Sequence, residues 1–375
     1  MKPASIKFSS TRSDFFTTLN QRVNEYFKNN NISRYANTEM KVKTVFMHVL
    51  YFVPFILMIT GVVTNPWLML LMCALMGCGV AGIGLAVMHD ANHGAYSNKK
   101  WVNQLLGYSL NIVGGNAFNW KVQHNVLHHT YTNIHDVDED ISPRGILRMT
   151  PYSDWKFIHK FQHVYAWFFY GLMTFVWVFV KDFVRIIRYQ KDGLVKNQKA
   201  DIRTEWAILI ATKVLYLAYI MVLPLAILPI TGWQWFAGFF LMHYIAGFIL
   251  AVIFQPAHVI DGTEYPLPNE EGKIENSWAI HQLHTTTNFA QSNKILSWYV
   301  GGLNYQVEHH LFPNVCHVHY RNISGIVKQT AEEFDLPYKS QPTFIGALIG
   351  HAKLLKELGK NPKTVLATAP TPAII

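Results

Sequence analysis

Trp120-Lys121-Val122-Gln123-His124-Asn125-Val126-Leu127-His128-His129 decides how this chain is read. Three histidines fall within six residues. On a helix, His124 and His128 are four apart and share a face, while His129 lies about 100° further round. Such a run can aim neighbouring imidazoles at two points. Alone, it fits a polar patch on a cytosolic helix equally well. Two further clusters stand beside it in the sequence. His89-Asp90-Ala91-Asn92-His93 repeats the i, i+4 pair, and Gln306-Val307-Glu308-His309-His310 places a polar residue three before a histidine pair.

A structural metal site takes about four ligands and closes. Seven histidines plus Gln306 exceed one such site and suit two metals that keep open positions. Imidazole serves Zn, Cu, Fe and Ni alike, so donor type does not choose the metal.

Composition supplies the setting. The 375 residues are 50% hydrophobic and only 15% charged, where soluble proteins are nearer a quarter charged. The net charge of +9 comes from lysines and arginines beside apolar runs, which reads as a cytoplasmic membrane face and not as a nucleic-acid footprint. Cys73, Cys78 and Cys316 have no spacing that suggests a disulfide framework or a zinc ribbon. Residues 1–40 hold no apolar signal-peptide core, so the internal runs must direct insertion.

Four runs, roughly 43–63, 66–88, 206–229 and 233–255, reach the ~20 residues needed to span a bilayer. Thr64-Asn65-Pro66 and Ile230-Thr231-Gly232 join them into two hairpins. Gly77, Gly79, Gly82 and Gly84 in the second run permit close helix packing. The run from His163 to Val180 could just cross. A fifth crossing would place the third histidine cluster opposite the first two, which a shared centre forbids. Basic residues agree: Lys99, Lys100, Arg148, Lys156 and Lys160 precede the run, and Lys181, Arg185, Arg188 and Lys191 follow it. It is therefore expected to lie in the interface or to re-enter. Lys213, inside the third run, is expected to snorkel. In residues 1–40, Phe15, Leu19, Val23 and Phe27 recur at helical spacing behind Ser13 as an N-cap, giving a helix that lies on the membrane or docks on the protein. The tail from 361 is expected to be disordered. The expected fold is an all-α membrane protein, one domain over 1–375, with four transmembrane helices in two hairpins and a cytoplasmic helical cap holding a di-metal site.

The order HxxxH, HxxxHH, QxxHH among long apolar runs resembles the membrane-bound fatty acid desaturase family. The run Gly302-Leu303-Asn304-Tyr305-Gln306-Val307-Glu308-His309-His310-Leu311-Phe312-Pro313 resembles its front-end branch. The resemblance covers about residues 40–340. It implies a cis-desaturase using O2 and two electrons. It also implies iron ligation by His89, His93, His124, His128, His129, His309 and His310, with His258, just past the fourth run, as an eighth ligand. Gln306 departs from the histidine found there in other branches; it could coordinate, act through water or only hydrogen-bond to a ligand. Asp90, Asp136, Asp138, Asp140, Glu308, Asn92, Asn288 and Asn304 are candidates to orient the imidazoles. His281 and His284 are expected outside the ligand set, and His317 and His319 are expected at a headgroup or in each other's surroundings, not at the metal. The acyl chain requires an apolar tunnel, for which segments 101–120, 163–180 and 298–305 are candidates.

The resemblance also implies the partners: a fatty acyl substrate on CoA or lipid, the bilayer itself, and an electron donor. The chain carries no His-Pro-Gly-Gly haem motif, so a separate ferredoxin or cytochrome b5-type donor is expected, in a bacterial inner membrane with the site facing the cytoplasm. Two rival readings differ in chemistry. A hydroxylase on the same scaffold would insert oxygen into the product. A metal transporter would carry its histidines mid-span, lining a path.

Overall fold

The computed structural model describes residues 6–10, 14–142 and 145–362. Ser13 and most of the tail from 361 lie outside the described residues, so the expectations placed on them find no counterpart here. Four helices are long and apolar enough to cross a membrane: Thr38–Ile59, Pro66–Asn92, Ile202–Ile227 and Gly232–His258. Their starts follow from local chemistry. Asn37 Oδ1 accepts from Met40 N. Asn65 accepts from Trp67 N and Leu68 N, with Pro66 in the first turn where its missing N–H costs nothing. Thr231 and Gln234 form a reciprocal capping box.

The second span is the hub. It packs against the first and fourth spans, and its glycines allow this. A Cβ on Gly79 would lie 2.8 Å from Tyr51 N, and one on Gly77 would lie 2.6 Å from Met242 O. Its last turns widen into a π-helix over Ile83–Val87, just before His89.

The second and fourth spans end at His89–Asn92 and His258, and these ends meet. The rings of His89 and Phe254 are 6.1 Å apart, and the 122–129 segment joins both ends, with His124 5.0 Å from His89 and His128 4.7 Å from His258. Both ends therefore lie on one face of the helix layer. Because the third and fourth spans form a hairpin, the third starts on that face too. Residues 93–201 must leave and return to the same side. The intervening helices Phe157–Gly171 and Met173–Lys191 are bent by 57° at their junction, consistent with a segment that enters and comes back.

Lys213 does not snorkel, which corrects the expectation. It is 5% exposed, and its Nζ donates to Asp182 Oδ2 at 2.8 Å and to Gly114 O at 2.6 Å. The carboxylate comes from the bent segment, so the lysine ties the third span to it. A charge with an acid and a carbonyl in reach has no need to extend to the headgroups.

The cap follows from amphipathic helices. Phe15, Leu19, Val23 and Phe27 of Asp14–Asn29 are all buried, mainly against Tyr320–Glu333. Arg22 fastens the pair, donating to Thr330 Oγ1 at 3.0 Å and pairing with Glu333 at 2.7 Å. Of the two placements open for this helix, docking on the protein is the one observed. Two short parallel bridges, Lys7–Phe8 with Lys273–Ile274 and Asn288–Phe289 with Ser340–Gln341, are the exceptions to an otherwise helical fold among the described residues.

Candidate metal centre

All eight candidate histidines are buried or nearly so, and the fold brings them together. Ligand atoms of His89, His93, His124 and His309 form one group and those of His128, His258 and His310 another, each within 4.8 Å. His129 lies between them: its Nε2 is 3.2 Å from His124 Nε2 and 2.9 Å from His309 Nε2, and its ring stacks on His310 at 4.3 Å.

A π-helix over Val122–His128 refines the helical reading. In a π-turn residues five apart fall in line, so His129 comes beside His124. The rings of His124 and His128 stack at 5.2 Å, as their spacing predicts, and Asp140 Oδ2 lies 3.9 and 3.6 Å from their Nδ1 atoms. His128 spends Nδ1 on Asp138, at 3.1 Å, and is left with Nε2 for the second group.

The nitrogens fit a metal pair. Burial first, then repulsion from neighbouring imidazoles, holds His93, His124, His129, His309 and His310 well below the usual histidine range, so they stay neutral with free lone pairs. Imidazole nitrogens facing each other at 2.9–3.2 Å share either a proton or a cation. Bonds of about 2.0–2.1 Å to one metal would place adjacent imidazole nitrogens at roughly this separation. Nε2 of His93, His258 and His310 is buried with no partner, which is costly unless an ion takes it up.

The other ring nitrogens are fixed by protein groups, as is usual around metals. His310 Nδ1 lies 2.9 Å from Gln282 Oε1, and His309 Nδ1 lies 3.1 Å from Tyr320 Oη. His258 Nδ1 lies 3.3 Å from Thr285 O. Burial lowers His128, but Asp138 and Asp140 outweigh it and raise the group. Gln306 is 1% exposed, lies beside His258, and keeps a buried, unpartnered Nε2.

Several candidates turn elsewhere. Asp90 faces away from the centre; it accepts from His317 N and meets His317 Nδ1 at 2.8 Å, while His317 Nε2 lies 2.7 Å from Lys43 Nζ. His317 is thus buried in a polar network and His319 in the cap, which corrects their placement at a headgroup. Glu308 points outward, accepting from Tyr338 Oη and Asn288 Nδ2, and burial pushes its carboxyl up to about 7. Asn288 acts one step back, accepting from Val307 N at 2.8 Å and so bracing the third cluster. Asn92 and Asn304 bond to backbone and neighbouring side chains away from the imidazoles, and Asp136 reaches His135. His281 Nε2 meets Thr132 O at 2.7 Å and His284 meets Glu264, so neither joins the set, as expected.

The sequence reading missed Gln282 and Asn133. Gln282 Oε1 also accepts from Thr132 Oγ1, and Asn133 Nδ2 donates to His258 O at 2.9 Å. Asn133 has φ 59°, a left-handed position that asparagine tolerates, and its N–H donates to Asp138 Oδ2. The sequence signal for Gln282 is its place in a run, Gln282–Asn288, that is polar but for Leu283.

A cavity of about 700 Å³ adjoins the centre. His124 is the single histidine in its wall, with Trp120, Gln123 and Asp140 beside it. The deep wall is apolar, with Val80, Leu110, Val113, Val178 and Leu250. Segments 101–120 and 163–180 contribute as expected. Segment 298–305 does not, because it backs onto the second span. A Cβ on Gly301, at φ 64°, would lie 2.7 Å from Ala86 Cα.

Four apolar helices, a buried set of neutral imidazoles compatible with two metal ions, and an adjoining apolar cavity define a membrane enzyme built around a histidine-rich centre. Residues 65–342 match the fatty acid desaturase family model. The chain is 37% identical to an sn-1 linoleoyl-lipid 6-desaturase of Arthrospira platensis, over 93% of this chain and 94% of that protein. It is 36% identical to an sn-1 linoleoyl-lipid 6-desaturase of Synechocystis sp., over 95% and 98%. It is also 36% identical to an acyl-lipid (8-3)-desaturase of Physcomitrium patens, over 96% of this chain and 74% of that protein. The chain belongs to the fatty acid desaturase family. It is an oxidoreductase acting on fatty acyl chains, and its relatives bear out the resemblance to the front-end branch.

Proposed function

We propose that this protein is a front-end acyl-lipid desaturase, one desaturase domain from 1 to 375, whose eight histidines hold two iron ions. The observation that carries the reading is the set of buried imidazole nitrogens, mutually close or unpartnered, reached from an apolar cavity whose wall includes His124. Bound iron would supply the activation of O2 that no side chain can provide. Overall, one O2, two electrons and two protons are consumed, two hydrogens leave adjacent methylenes, and one cis double bond and two waters form.

The chain's own residues bind, orient and exclude water. His89, His93, His124 and His309 would serve one ion, His128, His258 and His310 the other, with His129 between. Asp138, Gln282 and Tyr320 fix the rings of His128, His310 and His309 through their Nδ1 atoms, so the lone pairs need no reorganisation. Burial of the whole set keeps bulk water from a reactive centre. The substrate would be an acyl lipid, as in the names of the relatives. Electrons would come from a separate ferredoxin or cytochrome b5-type carrier. The site would face the cytoplasm of a bacterial cell membrane, a reading supported by the basic residues that flank the bent segment on the centre's side.

Expression in a host lacking polyunsaturated lipids, followed by mass-spectrometric mapping of new double bonds, tests this. A new cis double bond between an existing one and the carbonyl is expected. A hydroxylated product, or none from inserted and metal-loaded protein, would overturn it.

A further inference from the structure

The charged end of the cavity holds a donor that the reaction centre does not use. Lys181, Arg185 and Arg188 are four and three residues apart, share one helix face, and all line the cavity. Glu139 faces them. Arg185 Nε donates to Glu139 Oε2 at 3.0 Å, Tyr189 Oη donates to the same oxygen at 3.2 Å, and Arg188 pairs with Oε1. The neighbouring acids are engaged elsewhere: Asp138 with His128, and Asp140 with Gln123.

Arg185 is 4% exposed, yet its Nη1 is buried without a partner. A buried guanidinium N–H left unpaired is expensive, and it has no acceptor among the described residues. The surroundings specify what could serve. Ile146, Val180 and Val184 also line the cavity and are 46%, 51% and 47% exposed, so apolar side chains that reach the surface form part of its rim. An acceptor entering by such a rim must come on an apolar chain. Beyond it the wall leads past Asp140 to His124, whose Nδ1 is 3.9 Å from that carboxylate, and Asp140 follows Glu139 directly.

We propose that Arg185 Nη1 binds the acyl carbonyl oxygen and so sets the number of carbons between that carbonyl and the methylenes presented at His124. The proposal rests on the desaturase reading and deepens it. Lipid esters and CoA thioesters both offer this oxygen, so the assay needs an arm for each.

Holoenzyme would be reconstituted with a reducing system and given acyl lipid in vesicles or, separately, acyl-CoA, at several chain lengths. Wild type should place its double bond at one position counted from the carbonyl at every length. Activity on vesicles alone would assign the ester, and activity on CoA alone the thioester. Arg185→Gln should lower kcat/KM by about 10- to 100-fold, as expected for loss of a charged hydrogen bond, and should add product at neighbouring positions. Arg185→Lys should restore the single position in part. A merely structural arginine would lower yield with the position unchanged, and that result would overturn the proposal. So would a wild-type position constant from the methyl end. If Arg185→Gln does not accumulate, Glu139→Gln/Arg185→Gln removes both charges and is read in the same way. No double bond from wild type would refute the desaturase reading itself, a distinct outcome.

Discussion

His129 Nε2 and His309 Nε2 lie 2.9 Å apart although 180 residues separate them. The contact joins the end of a π-helix to a six-residue helix, Gln306–Leu311, that is buried throughout. It also joins the two groups of imidazoles, since His129 stacks on His310 and approaches His124. Two neutral rings this close can share a single proton, whereas a cation would engage a lone pair from each. The centre is therefore expected to be more stable with metal than without, and metal binding to be linked to folding of the cap.

Metal analysis addresses the stoichiometry. Protein purified anaerobically should carry two irons per chain, and His258→Ala should retain about one. Stoichiometric zinc in active enzyme, or one metal in wild type, would contradict the two groups. Thermal unfolding followed with and without chelator should show the metal-loaded protein melting higher.

Gln306 separates close binding from support. Its Nε2 is unpartnered and the side chain lies against His258. If it only hydrogen-bonds to that ring, Gln306→Ala should cost roughly 10- to 100-fold in activity, with iron content little changed. Loss as complete as in His309→Ala, with iron lost too, would make it a ligand. Gln306→His offers a stronger donor, and it should be tolerated only if the position it fills is one that O2 does not need.

Lys213 and Asp182 form a buried pair, at 2.8 Å, linking the third span to the bent segment. Lys213→Met leaves the carboxylate buried and alone, a cost of about 3–5 kcal/mol in comparable cases. The protein should lose heat stability or fail to accumulate. Lys213→Met/Asp182→Asn should recover much of that loss, because the stranded charge is gone. Equal damage in single and double variants would show that the pair's worth lies in its hydrogen bonds to Gly114 and Trp177.

Topology follows from the meeting of the second and fourth span ends. Reporters placed near residues 97, 195 and 268 should all signal from one side, the cytoplasmic one, and a reporter in the 60–64 turn from the other. An external signal near 195 would mean that the bent segment crosses, and the common centre could not stand.

Much of this molecule was legible in the chain because membrane insertion and metal ligation both write one-dimensional patterns. Twenty apolar residues mark a span, basic flanks mark a side, and histidines four apart mark a helix face. Even the exclusion of a fifth crossing came from parity, and the meeting of the His89 and His258 ends agrees with it. The sequence thus determined the four spans, the family, and the eight histidines that converge. The placing of His129 beside His124 depended on the π-turn over Val122–His128, a shift of backbone hydrogen bonding that no residue type announces. The nearest partner of Lys213 is 31 residues away, and Asp90 and His317 are 227 apart, so only packing brings them within reach. Gln282 and Asn133 act through hydrogen bonds that reach across the fold, to Thr132 and His310 and to His258, so local sequence assigns them no role. Spacing along the chain fixes what a helix can present; the closing of one helix on another fixes what each side chain meets.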